Sequence, residues 1–317
     1  MLVPNDSKVV FFDLTPKLLS RYPKFISERY YQGCECTFIS MAELIDISRG
    51  LYWEDFWRNV DEVVVCGHRL PDIILILLAA DKGIPVSYIQ HGIFDRRLKR
   101  TALGIFRLLM KKGADYWAVY WIYANKRKDK LGLWLILAAF YDNRYVRKAL
   151  SFSTTINWNS IFLHRSSTFK EFEQVLGFDH MKPKVIFIDF DESRFCLNKE
   201  QETDVVIFLQ TFVEDGRMDQ GTYIQGITAA VRKAQLEYKN VSLYSHPRSD
   251  IDLYKDVLGY EGVDWVENHD KVPYARLFLS DYSSMLLVAK NLGFKVRRIM
   301  ISGHTSTGPI EEIPVYQ

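Results

Sequence analysis

Three times in the last third of the chain a short apolar run breaks off into a compact polar cluster. Val205–Leu209 leads to Glu214-Asp215-Gly216, Val241–Tyr244 to His246-Pro247-Arg248, and Leu277–Leu279 to Asp281-Tyr282-Ser283-Ser284. A segment of helical period, Tyr223–Tyr238, separates the first two. Apolar runs of this length, bounded by loops and alternating with helical stretches, predict a parallel α/β sheet. In such sheets ligands bind beyond the carboxyl ends of the strands. All three polar clusters fall there, and the pattern predicts that they converge on one pocket.

The same rhythm runs through the first half. Val9–Phe12, Cys36–Ile39, Glu62–Val65 and Val86–Gln90 read as strands, and Pro71–Ala80 as an apolar helix with proline in its first turn, where a missing N–H costs little. Ser160–Leu163 and Val185–Ile188 read as the closing strands of this sheet. The fourth strand ends in Gln90-His91-Gly92, where the glycine allows a close backbone approach or a tight turn. The polar run Asp191–Asp204 reads as a linker, which puts a domain boundary near residue 200. The expected fold class is therefore α/β, with two doubly wound Rossmann-like domains facing a cleft. The tail 306–317, with Pro309 and Pro314, can return to the first domain.

Composition limits the remaining classes. A chain of 317 residues with 48% hydrophobic and 25% charged residues has the make-up of a folded globular protein of two domains. Cys34, Cys36, Cys66 and Cys196 show no zinc spacing and no C-x-x-C pair, which predicts free thiols and a cytoplasmic setting. The first residues lack a basic segment followed by a long apolar one, and no apolar run reaches the ~18–20 residues that span a bilayer. Leu131–Tyr141 comes closest.

The net charge of +2 hides an uneven distribution. Between Asp95 and Lys148, fourteen lysines and arginines face only Asp95, Asp115, Asp129 and Asp142, and Trp117, Trp121, Tyr123, Trp134 and Tyr141 lie among them. Basic and aromatic residues interleaved in this way suit an element seated on an anionic membrane. They equally suit a basic acceptor-binding face, or helices packed on the sheet. No nucleic-acid-binding motif accompanies the charge, so no nucleic acid is expected.

The polar clusters carry the chemistry. His246 leaves a strand in a polar loop, where an imidazole can bind a phosphate or act as a general acid near neutral pH. Ser283 and Ser284 stand before the helical segment Met285–Asn291, which ends at Gly293, and can cradle a phosphate, cap the helix, or do both. Glu214 and Asp215 offer carboxylates in a turn, which read alone is also an ordinary solvated loop. In this order the three clusters resemble those of bacterial GT-B glycosyltransferases that use CMP-activated acidic sugars. These are the lipooligosaccharide sialyltransferases, the polysialyltransferases and, more distantly, the Kdo transferases. The resemblance covers roughly the last third of the chain.

That resemblance implies residues 1–200 as an acceptor-binding domain with a basic insertion at 95–148, and 201–317 as the CMP-sugar-binding domain. It implies Glu214 as the base toward the acceptor hydroxyl, with Asp215 as the substitute. His246 would serve the CMP phosphate, held also by Ser283 and Ser284. Gln210, Gly216, Pro247, Arg248, Asp281 and Tyr282 complete the donor site, with Glu267 at the nucleotide ribose or base. No cofactor and no metal are implied, since a CMP leaving group can be offset by a histidine and hydroxyls. The implied partners are the CMP-sugar donor and a glycan acceptor that can be lipid-linked; the basic segment 95–148 adds, on its own composition, an anionic membrane surface on which a cytoplasmic protein would sit peripherally. Gln90-His91-Gly92 and Asp281–Ser284 also resemble teichoic-acid-type transferases that use CDP-glycerol, in which His91 would be the base. A third reading is a non-catalytic glycan-binding scaffold of transferase fold.

Overall fold

The computed structural model describes residues 6–12, 16–50, 52–67, 69–90, 102–127, 134, 136–138, 145–151, 156–164, 172–173, 176–177, 183–188, 195–214, 217–246, 249, 251–258, 263–266, 271–301, 310 and 312–316, some of them by backbone alone. The chain forms two compact units, the first holding most of residues 1–188 and the second 189–317 together with 92–95 and 100–108, so that the helix over 102–127 is divided between them.

The first unit contains β1 (Lys8–Phe12), α1 (Pro16–Tyr30), β2 (Glu35–Ile39), α2 (Met41–Arg49), α3 (Trp53–Arg58), β3 (Glu62–Val65), α4 (Leu70–Asp81) and β4 (Val86–Ile89). Then come α5 (Ala102–Arg127), α6 (Val146–Leu150), β5 (Trp158–His164) and β6 (Lys184–Ile188). Six parallel strands lie in the order β2-β1-β3-β4-β5-β6. β3 and β4 are buried along their whole length, polar Glu62 and Ser87 included, so neither shows the in–out alternation of a half-exposed strand. Helix α4 is buried from Leu70 to Ala80, and apart from Asp72 its sequence over that stretch is apolar, as an element buried on all sides requires.

The second unit contains β7 (Leu197–Phe208), α7 (Gln220–Glu237), β8 (Val241–Tyr244), α8 (Asp252–Leu258), β9 (Val263–Val266), β10 (Val272–Ser280), α9 (Ser284–Asn291) and β11 (Val296–Arg298). Its five parallel strands run β11-β10-β7-β8-β9. The order reverses between β7 and β10, so the loops leaving these two strands diverge there, as in doubly wound sheets. Both sheets therefore have the expected α/β class and parallel pairing. Helix α9 ends at Leu292, and Gly293 follows with φ of 85°, a conformation that suits glycine. Gly226, inside α7, makes room for Ile301: a Cβ there would lie 2.9 Å from both Cγ atoms of that isoleucine.

Two expectations are corrected. The polar stretch expected as a linker is the first half of β7 from Leu197 onward. Its side chains are mostly exposed, and the backbone ladder to Val272–Ala275 of β10 is what makes it a strand, with a jump in register between Pro273 and Tyr274. The described part of the tail packs in the second unit rather than the first. Ile310 and Ile313 are buried in its core, and Val315 bridges to Arg298 of β11.

Candidate functional site

The carboxyl ends of β7, β8 and β10 carry the three polar clusters. Buried apolar side chains, Val205 to Leu209, Val241 with Leu243, and Leu277 to Leu279, set the three strands side by side. Each such side chain contributes roughly 1.5–3 kcal/mol by leaving water. Two bonds hold the strand ends together. The Leu209 N–H donates to the Tyr244 carbonyl at 2.9 Å, and the Ser280 hydroxyl donates to the Phe208 carbonyl at 3.0 Å.

The loop after β7 turns back on itself. The N–H groups of Arg217 and Met218 donate to the Phe212 carbonyl at 2.8 and 3.2 Å, and Phe212 and Val213 are buried beneath. Glu214 sits in this turn, and its Oε2 accepts a 2.9 Å hydrogen bond from the hydroxyl of Tyr254 on α8. Asp219 closes the loop by capping α7, accepting from the Thr222 N–H at 2.8 Å.

Tyr223, on α7, is the hub under these groups. Its ring meets Phe212 edge-on at 5.8 Å and Tyr254 at 5.9 Å between centroids. Its hydroxyl accepts from the Gln210 N–H at 2.6 Å. Burial pushes the Tyr223 phenol well above its usual range, and the neighbouring charges of Asp281 and Glu214 push it the same way, so it stays a neutral hydroxyl. Tyr223 thus ties the loop after β7 to α8.

After β10 the chain enters α9. Asp281 is 2% exposed. Its Oδ1 accepts from the Tyr282 N–H at 2.8 Å, while its Oδ2 is buried with no partner among the described residues. Burial pushes this carboxyl up to about 7, against the opposing pull of its hydrogen bonds. Ser283 caps α9 by accepting from the Met285 N–H at 3.2 Å, so its hydroxyl serves the helix. Ser284 is the first helical residue and is half-buried. After β8, Ser245 is buried with a hydroxyl that has no partner among the described residues. His246 follows, half-buried, its carbonyl accepting from the Ser249 N–H at 2.8 Å in a turn.

Glu214, Gln210, His246, Asp281, Tyr282, Ser283 and Ser284 therefore share one edge of one sheet. Tyr282 is buried and its ring adjoins Phe212 at 6.2 Å. Asp215, Gly216, Pro247, Arg248, Glu267 and His91 lie outside the described residues. Tyr254, Tyr223 and Ser245 join the site without any signal in the sequence, since each belongs to an ordinary helical or strand-end pattern. In the first unit, Gln90 is buried at the end of β4 and its Oε1 accepts from the His164 N–H at 2.9 Å. Asp72 at the start of α4 is buried and takes the Arg69 N–H at 2.8 Å and its Nε at 3.0 Å. His164, Arg69 and Asp72 were not anticipated from the sequence either.

The arrangement offers a carboxylate oriented by a tyrosine, a nearly neutral buried acid, and N–H and hydroxyl donors at a helix start. Such a set can hold an anion at the start of α9 while Glu214 takes a proton. Among the described residues, no group of three or more His, Cys, Asp or Glu side chains could hold a metal ion.

No family model matches the chain, and no curated protein matches it. Solved structures do. Staphylococcus aureus MnaA with UDP matches at 12% identity and a TM-score of 0.49, over 92% of this chain and 79% of that one. The UDP-GlcNAc 2-epimerase of Neisseria meningitidis bound to UDP-GlcNAc matches at 14% identity and a TM-score of 0.38, over 92% and 82%. Likeness at this level leaves the activity to be argued from the chain's own residues.

Proposed function

We propose that the chain is a GT-B glycosyltransferase that moves an acidic 2-keto sugar, sialic acid first and Kdo next, from its CMP donor to a hydroxyl of a bacterial surface glycan. The observation that supports this most is the pairing at the order reversal of the second sheet. A carboxylate held by Tyr254, Glu214, shares that edge with the Ser283-capped start of α9. A base beside an anion-holding helix start is what transfer from a nucleotide ester needs.

In this reading Glu214 takes the proton of the acceptor hydroxyl as its oxygen attacks the anomeric carbon. The bond from that carbon to the CMP phosphate oxygen breaks, and the electron pair leaves with CMP. His246, the hydroxyl of Ser284 and the N–H groups at the start of α9 donate to the phosphate as its charge grows. Donors already aimed at that charge lower the barrier without reorganising. The charge to be offset belongs to a monophosphate, so the reading assigns no role to a metal.

A second reading, glycerol phosphate transfer from CDP-glycerol, draws on the buried Gln90 amide fixed at the end of β4, just before His91. Calorimetry with CMP, followed by a turnover screen over CMP-Neu5Ac, CMP-Kdo, CDP-glycerol and UDP-N-acetylglucosamine, tests both. Turnover of a CMP-sugar that is lost in Glu214→Gln supports the first reading. Turnover of CDP-glycerol that survives Glu214→Gln and dies in His91→Ala supports the second. Turnover of the UDP-sugar alone, or no nucleotide binding at all, defeats both.

A further inference from the structure

Helix α5 is apolar on two opposite sides. Tyr116, Val119, Ile122 and Tyr123 are buried. Met110, Trp117 and Trp121 are 74%, 63% and 58% exposed. Positions seven and four residues apart recur on one face of a helix, so these three form a single row, and exposed Phe106 continues it one turn earlier. The row is about 22 Å long at the rise of an α-helix. An exposed row of this size on a folded protein marks a docking surface rather than scatter.

Charge decides what docks. At helical spacing Arg107, Lys111 and Arg127 flank the row, while Lys112, Asp115 and Lys126 fall on the opposite side, the Lys126 amine 4.8 Å from the centre of the Trp53 ring; Arg96, Arg97, Lys99 and Arg100 precede the helix in the sequence. Pairing this face with the same face of a second copy would set like charges against each other. An anionic lipid surface is the complementary partner, and tryptophan is the side chain most at home at the boundary between headgroups and acyl chains. Among the described residues no helix is long and apolar enough to cross a membrane.

We propose that α5 seats the protein on the surface of an anionic bilayer, with Met110, Trp117 and Trp121 inserted at headgroup level and the flanking Arg107, Lys111 and Arg127 on the lipid phosphates. Each basic residue near such a surface adds about 1 kcal/mol, an attraction that salt screens. This docking does not depend on the transferase reading.

The test is flotation of the full chain with phosphatidylcholine vesicles, with and without phosphatidylglycerol, over a salt series. The expected result is binding to the phosphatidylglycerol vesicles that weakens with salt, and a blue shift of tryptophan emission. The double variant Trp117→Ser/Trp121→Ser changes only exposed side chains. It should keep the parent's circular dichroism and melting temperature and lose on the order of tenfold or more in vesicle affinity. Arg107→Gln/Lys111→Gln should weaken binding and flatten the salt dependence, which keeps the question open to test if the tryptophan variant misfolds. Failure to float with phosphatidylglycerol, equal flotation with phosphatidylcholine alone, or unchanged affinity in both variants overturns the proposal. So does light scattering that shows a dimer in the parent and a monomer in the tryptophan variant.

Discussion

Each sheet buries a carboxyl group at one edge, and the two are treated in opposite ways. Glu62 opens β3, at the amino edge of the first sheet, and is 2% exposed. It accepts hydrogen bonds from the Tyr31 hydroxyl at 2.9 Å and from the Ser87 hydroxyl, and the Asn159 side chain adds another. The Ser87 hydroxyl in turn accepts from the Ser160 N–H at 2.9 Å, so the network closes on three strands. Asp281 ends β10, at the carboxyl edge of the second sheet, equally buried, with one oxygen left without a partner among the described residues. Burial raises both carboxyls above their usual range. A buried acid whose neighbours satisfy it belongs to the scaffold. One left short of a donor, on the same edge as a Ser245 hydroxyl that also has no partner among the described residues, belongs to the part that meets something else.

The sharpest test of this contrast separates turnover from stability. Glu214→Gln keeps the size and polarity of the side chain and removes the proton acceptor. Turnover should fall by roughly 10²–10⁴-fold with CMP affinity and melting temperature nearly unchanged. Glu62→Ala should do the reverse. It strands the Tyr31 and Ser87 hydroxyls in the interior, at roughly 1–3 kcal/mol each, without touching CMP affinity. Denaturant unfolding beside calorimetry would show it, and a loss of CMP affinity at unchanged stability would dissolve the contrast.

Asp281 gives a pH signature. Its carboxyl titrates at about 7 when folded, against ~3.9 in an unfolded chain. Between those values the folded state holds a proton that the unfolded state has released, so this group's contribution to stability falls as pH rises through the window. Asp281→Asn cannot ionise, so melting curves should lose stability less steeply than the parent from about pH 4 to 7. Parallel curves for the two proteins would mean that the carboxyl is not held neutral. The smallest effect is expected from Ser284→Ala. It should weaken CMP binding by about 0.5–1.5 kcal/mol, the net contribution of one hydrogen bond, or somewhat more if the phosphate is fully charged.

The strands that could be read from the sequence are the ones that form apolar runs, including β2 and β6, whose side chains are only partly buried. Glu62–Val65 and Val241–Tyr244 were legible to the residue because every position in them faces the interior. The first half of β7 was not, because Asn198–Glu202 place polar side chains in solvent while only their backbone is engaged with β10. Helix α1 also went unread, because its two prolines punctuate it like a loop: Pro16 sits at the helix start, where a missing N–H costs little, but Pro23 lies inside the helix, where a proline ordinarily signals a break. The site follows the same division. Glu214, His246, Asp281 and Ser283 stood out because each follows an apolar run. Tyr254 meets Glu214 from forty positions along the chain, and nothing local to a short helix announces such a contact. The two-sided character of α5 was equally hidden, since tryptophans spaced along a helix look the same in sequence whether they point inward or outward.

The close fit of Gly226 against Ile301 has a use in genetics. In most helices a glycine-to-alanine change gains about 1 kcal/mol. Here the new methyl would meet both Cγ atoms at 2.9 Å and the Cβ at 3.3 Å, so no simple side-chain rotation clears it. An organism carrying Gly226→Ala should therefore make a chain that folds when cool and fails when warm. That conditional allele would let the protein be switched off in living cells without touching any residue of the candidate site.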